Sequence, residues 1–205
     1  MHPDFSLIGL TFEQEVAGCE NIVGIADNLQ SSLPAVDLID LYRHSLVAAV
    51  SALDTFVHSL VRVGIILQIR GNGPELDVRL PIGVDAYRRW FNGDPFALRE
   101  IELQVRQAHS RWTMQFAKDI ADAVRLVSSR PAWITIAGED PNVARILKNS
   151  LDVVVVRRNQ IVHESDIDPS TGQKWPIDSA MARQAIGTIK ERQKQLLDHV
   201  SEEYD

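Results

Sequence analysis

The chain has 205 residues, with 21 Lys and Arg against 28 Asp and Glu, a formal net charge of −7. At 45% apolar and 24% charged its composition is that of a globular chain able to bury a core, and its length suits one domain. The acidic balance excludes coating of nucleic acid by bulk charge, so any RNA contact has to come from a local basic patch. The lone cysteine, Cys19, excludes an intramolecular disulfide and a cysteine-based zinc site. Met1-His2-Pro3-Asp4 lacks the positive start of a secretory signal, and no uncharged apolar run approaches the ~20 residues that cross a bilayer. The expectation is a cytoplasmic protein with no membrane partner.

Helical patterning runs through nearly the whole chain. Residues 12–29 read as a helix despite two glycines and weak periodicity. Pro34 suits a first helical turn. From Leu38 to Ile69 apolar residues recur in steps of three and four, until Gly71-Asn72-Gly73-Pro74 stops the pattern. A helix of about 36 residues there extends on the order of 50 Å, and Ala48, Ala49, Ser51 and Ala52 in its middle permit close approach of another helix. Residues 77–82 suit a short extended piece, which Pro81 confines to an edge or loop. Residues 84–91 read as a short helix closed by Asn92-Gly93. Asp94-Pro95 resembles a cap and first turn for a helix through about Ala108.

Residues 110–129 continue helically, with Phe116, Ile120, Ala123, Val124 and Val127 as the apolar face, and Arg130-Pro131 ends them; 132–138 read as irregular. Asp140-Pro141 repeats the cap-and-proline signal. In the helix that follows, Val143, Ile146, Leu147, Leu151, Val154, Val155, Ile161 and Val162 fall on one broad face. The β-branched run 153–156 alone suits a strand, but the cap and the periodicity on both sides favour helix. Residues 165–176 read as loop. Asp178 can cap a last helix with Met181, Ala185, Ile186, Ile189, Leu196, Leu197 and Val200 as its buried stripe. Its acidic end, 201–205, is expected to fray against the helix dipole. The fold class is therefore all-α, a helical bundle forming a single domain over 1–205. Its expected core is about 34–71 and 140–203, with a helical insertion at about 72–138.

Chemistry concentrates in Arg157-Arg158-Asn159-Gln160-Ile161-Val162-His163-Glu164. Asn159 and His163, four apart, share a helix face. Arg158 and His163, five apart, stand about 140° apart around the axis, which is awkward for one helix acting alone. Two copies facing each other across a two-fold axis would bring both pairs into a shared cleft. Guanidinium groups hold phosphate and stay charged, and imidazole moves protons near neutrality. Arg158 with His163, and Arg157 as a further substrate-binding guanidinium, suit cleavage of RNA through its own 2′-hydroxyl. The products are a 2′,3′-cyclic phosphate and a 5′-hydroxyl, DNA is spared, and no metal or cofactor is needed. A blander reading competes: His163 as a cation answering the helix dipole, and Arg157 and Arg158 as a solvated face.

Asp54 lies in an apolar helical stretch and needs a partner if buried. It either orients Arg158 or His163, in a supporting role, or pairs with a structural arginine such as Arg43. His44 and His58, close to four turns apart, lack a carboxylate set, so no metal site is expected. Trp90, Trp112, Trp133 and Trp175 read as packing residues, while Arg145 and Lys148 either extend a basic track or lie on the surface.

Arg158-Asn159-Gln160-Ile161-Val162-His163 resembles the Arg-x4-His motif of the HEPN superfamily, including the polar residue after the arginine. Leu41-Tyr42-Arg43 and Ser51-Ala52-Leu53-Asp54-Thr55-Phe56-Val57-His58 are similar to the family's first core helix. Residues 161–168, followed by Trp175, Ile177 and a terminal amphipathic helix, resemble its RiboL-PSP-HEPN branch. The likeness spans about 35–70 and 140–200. It implies a HEPN-like bundle, a homodimer with the motif at the interface, and metal-independent endoribonuclease activity. Such domains commonly act as toxins or in phage defence, with an antitoxin or defence-system partner. By the resemblance Arg158 binds phosphate, His163 is the catalytic histidine and Asn159 takes the polar position. One branch, paired with nucleotidyltransferase antitoxins, has tyrosine two places after the histidine. Ser165 stands there, so modification of that tyrosine is not this protein's control. Two other classes compete: a non-catalytic HEPN module binding nucleotide, RNA or a partner protein, and a structural helical adaptor.

Overall fold

The computed structural model describes residues 2–33, 36–76 and 82–204. Among these are eight helices and no strand: α1 (Pro3–Ser32), α2 (Ile39–Ile69), α3 (Val84–Phe91), α4 (Ala97–His109), α5 (Ala117–Val124), α6 (Ala132–Ile136), α7 (Pro141–His163) and α8 (Ser179–Ser201). The protein is an all-α bundle. Pro34 and residues 77–81, for which a helical start and an extended piece are expected, lie outside the described residues.

The buried positions of α1 alternate by four and three: Phe5, Gly9, Phe12, Val16, Cys19, Val23 and Ala26. That is heptad spacing, which keeps one seam turned to a partner, and α2 answers with Tyr42, Leu46, Ala49, Leu53, Phe56 and Leu60. Phe12 meets Phe56 edge-on at 5.6 Å. α8 packs on both, and α7 on α2 and α8. The core therefore includes α1, which the expected core of 34–71 and 140–203 omits. By length and hydropathy α2 passes as a membrane-crossing helix; in the fold it is the central core helix, with Leu53, Val57, Leu60, Val61 and Ile65 fully buried.

The region between α2 and α7 departs from the expected continuous helix at 110–129. Two carboxylates break it. Asp54 Oδ1 of α2 accepts from Met114 N–H at 2.6 Å, and Asp152 Oδ1 of α7 accepts from Ala117 N–H at 2.8 Å. Captured from two sides, residues 112–116 run without helix, and α5 starts where Asp152 satisfies one of its free N–H groups. Residues 132–138, expected to be irregular, contain the short helix α6, pinned by Trp133 Nε1 donating to Ala117 O at 2.6 Å.

Asp140 caps α7, accepting from Asn142 N–H and Val143 N–H, and Asp178 caps α8 through Met181 N–H. The run Val153–Val156 is helical, as the cap and periodicity predict. Several expected core residues are exposed, however: Val143, Ile146 and Val162 on α7, and Met181 on α8. The chain end does not fray as predicted. Tyr204 is buried and its hydroxyl donates to Val127 O at 2.8 Å. Arg130 donates to His199 O at 2.9 Å and pairs with Glu202 and Glu203, so the acidic end meets a cation that offsets the dipole.

Candidate functional site

The end of α7 is set by a buried acid. Asp166 is fully buried, follows Ser165 in left-handed backbone (φ 55° and 60°) and ties back through its N–H to Gln160 O at 3.0 Å. Asp tolerates that conformation better than most residues. Its carboxylate receives Arg43 Nε of α2 at 2.6 Å and both terminal nitrogens of Arg157. Arg157 also donates to Trp175 O and Pro176 O. Arg43 reaches Trp175 O at 2.7 Å and Asp40 at 3.1 Å, and Lys174 pairs with Asp40 at 3.0 Å. Arg157, expected as a substrate-binding guanidinium, has these partners within the chain. Its guanidinium is engaged by a buried carboxylate and two carbonyls, and it fastens the 165–176 loop to α7. In the sequence the only signal for Asp166 is an acid just past a helix end that carries two arginines.

Arg158 is half-buried on the inward side of α7, on the same side as Leu147, Leu151 and Val154 by helical rotation. Its Nη1 donates to Asn159 Oδ1 at 3.1 Å, and its Nε is closed off from solvent without a partner among the described residues. His163, the last residue of α7, is exposed, on the outward side with Ile146, Val153 and Val156. The structure thus brings Arg158 to Asn159 but leaves Arg158 and His163 on different sides of one helix. Asp54 joins neither and does not pair with Arg43; it caps the 112–116 segment and lies 3.9 Å from His58. His44 binds Asp40 O and His58 contacts Trp112 O, so the two histidines do not meet. Trp133 is buried, Trp90 half-buried, and Trp112 and Trp175 are exposed, as are Arg145 and Lys148. Two grooves flank this end of α7. One of about 390 Å³ lies beside Ile161, Val162, His44 and Lys174. The other, of about 540 Å³ between α7 and α8, is lined by Ile146, Val153, Ile177 and Met181.

A second constellation imitates a nucleophile site. Ser128 Oγ lies 3.1 Å from His199 Nε2, and Glu203 is hydrogen-bonded to the same hydroxyl. The acid contacts the serine instead of the far side of the imidazole, the reverse of a catalytic relay, and Ser128 is buried. Burial, then the charge of Arg130, holds His199 below the ordinary histidine value. Burial favours a neutral Glu203, but hydrogen bonds from Ser128, Ser129 and Arg130 outweigh it and hold the carboxyl below its ordinary range. The cluster anchors the chain end.

Compared with family models, characterised proteins and solved structures, the chain matches none. Among the described residues no group of three or more His, Cys, Asp or Glu is arranged to hold a metal ion. What the α7 end offers chemically is one half-buried guanidinium, one amide and one exposed imidazole beside an apolar face.

Proposed function

We propose that the chain is a metal-independent endoribonuclease of HEPN type, working as a homodimer in which Arg158 and His163 of both copies share a cleft. One observation supports it: the motif closes a helix whose outward side carries Ile146, Val153 and Val156, each 47–68% exposed, flanked by Met181 and the 540 Å³ groove. An apolar face of this kind marks an interaction surface, and a second copy laid on it would bring two His163 imidazoles together, with each long Arg158 side chain reaching the shared phosphate from the other side of the helix end. In such a cleft one imidazole takes the 2′-hydroxyl proton as that oxygen bonds to phosphorus, the P–O5′ bond breaks, and the proton passes on to the departing 5′-oxygen. The arginines hold the phosphate and offset the charge growing on it. Asn159, bound to Arg158, positions the guanidinium. A toxin or phage-defence role, with an antitoxin or defence partner and a cytoplasmic setting, belongs to the same proposal.

The test is incubation of single-stranded RNA with the purified chain in EDTA. Cleavage that His163→Ala abolishes supports the reading; equal cleavage by both proteins contradicts it. A second reading, a HEPN module that binds nucleotide or RNA without cleaving it, draws on the inward, half-buried setting of Arg158. It predicts nucleotide binding that Arg158→Ala removes, with no cleavage of any RNA.

A further inference from the structure

Away from α7, helices α2 and α4 enclose a separate groove of about 210 Å³. His58 and Arg62 of α2, one turn apart, meet Arg106 and His109 of α4 across it. Nearby acids are fewer. Glu102 lies 3.6 Å from Arg62 Nε and 3.5 Å from Arg106 Nη2, and neither approach is a good hydrogen bond. Asp54 stands 3.9 Å from His58 and is already bound to Met114 N–H. One carboxylate, Glu102, is shared between the two guanidinium groups, while the second, Asp54, stands at the His58 end of the groove. Arg106 and His109 alone answer the carbonyls at the end of α4. His58 and Arg62 come from another helix, and the dipole of α4 does not account for them.

His109 singles this groove out. It is 3% exposed, its ring lies 4.6 Å from Trp112, and its Nε2 is shut off from solvent with no hydrogen-bond partner among the described residues. A buried polar atom left bare costs about 1–3 kcal/mol, and folded proteins hold few of them. Burial, then the charge of His58, holds the imidazole below its ordinary value, which favours the neutral ring, and in the tautomer that carries its proton on Nε2 that atom is a donor. Arg62 is also pushed down, by burial first and then by Arg106, with Glu102 the weaker influence. Crowded like charges and a bare donor are the two features that a bound oxyanion relieves together.

We propose that the α2–α4 groove is a binding site for a phosphate-type oxyanion, with Arg62 and Arg106 as charged donors and His109 Nε2 as a neutral one. The anion can be free phosphate, the phosphate of a nucleotide or a terminal phosphate on a nucleic acid. The site is independent of the motif on α7 and of the ribonuclease reading.

Calorimetric titration of the full chain tests this with four probes: inorganic phosphate, a nucleoside 5′-monophosphate, and a 5′-phosphorylated oligodeoxynucleotide beside its 5′-hydroxyl twin, with chloride matching ionic strength. Saturable binding of the phosphate-bearing probes is expected, with the order of affinities naming the source of the anion. Arg62→Gln and Arg106→Gln should each weaken it about tenfold or more, since a charge-assisted hydrogen bond contributes ~1.5–3 kcal/mol. The Arg106 side chain is 58% exposed, so its variant keeps the fold. His109 ring signals in NMR should move on phosphate addition. Absence of saturable binding, or binding that both variants leave unchanged with His109 signals still, reduces the groove to a place for an adventitious ion only and overturns the proposal.

Discussion

Asp166 decides where the motif ends up, although it sits in a stretch that reads as loop. It is fully buried between two arginines from different helices, and its removal leaves Arg157 without a counter-charge and Arg43 with only the exposed Asp40. Losing one member of a buried ionic cluster costs about 3–5 kcal/mol. Asp166→Ala should therefore lower stability by that order in chemical denaturation, and a loss under ~1 kcal/mol would show the network to be dispensable. His163 presents the opposite case. It is exposed, makes no side-chain hydrogen bond among the described residues, and His163→Ala should shift stability by less than ~0.5 kcal/mol while removing the proposed cleavage. The sequence singles out both arginines and the histidine, and gives both arginines a hold on substrate, Arg158 within the motif and Arg157 beside it. Their division into Arg157, bound to Asp166, and Arg158, bound to Asn159, depends on a loop that folds back against α7, which periodicity does not encode.

Among the elements, helix faces were legible where the chain buries one stripe and obscure where a distant side chain intervenes. α2 follows its apolar periodicity, and α7 and α8 follow theirs from capped starts, apart from Val143, Ile146, Val162 and Met181, which are exposed. The seam of α1 is equally regular, from Phe5 to Ala26, but it is built from residues as small as Gly9 and Ala26, so hydrophobicity alone understates it. The break at 112–116 was not legible, because Asp54 and Asp152 act from helices far away in sequence. Close contact with the turn after α5 also fixes Gly64, where an added Cβ would stand 2.7 Å from Val127 Cβ and 2.6 Å from its Cγ1. Alanine gains up to ~1 kcal/mol in a free helix, but overpacking costs ~1–3 kcal/mol. Gly64→Ala should lower the unfolding midpoint, and a rise would show that Val127 yields freely.

At the scale of the whole molecule, acid should loosen the fold in two stages. His109 and His199 are held below the ordinary histidine value of about 6.5, so the unfolded chain binds protons first. Stability is full above that value and declines as pH falls through the lowered ones. Asp27, held down first by its bond from Arg183, Asp40, held down first by Lys174, and Glu203 follow below pH ~4. Thermal unfolding between pH 8 and pH 5 should show a falling midpoint; a flat profile contradicts this ordering. The outward face of α7 has its own consequence. Val153→Glu places charge where a second copy is proposed to dock, and the proposal predicts that light scattering reports a dimer for the unaltered chain and a monomer for the variant.

The proposed reaction turns on which atom attacks the phosphodiester. Mass spectrometry of fragments from a defined RNA, cut by the purified chain in EDTA, reads the answer from the new ends. Fragments carrying 2′,3′-cyclic phosphates and 5′-hydroxyls, made by the unaltered chain and absent with His163→Ala, are the predicted result. New 3′-hydroxyl ends, or an RNA left intact, would contradict it.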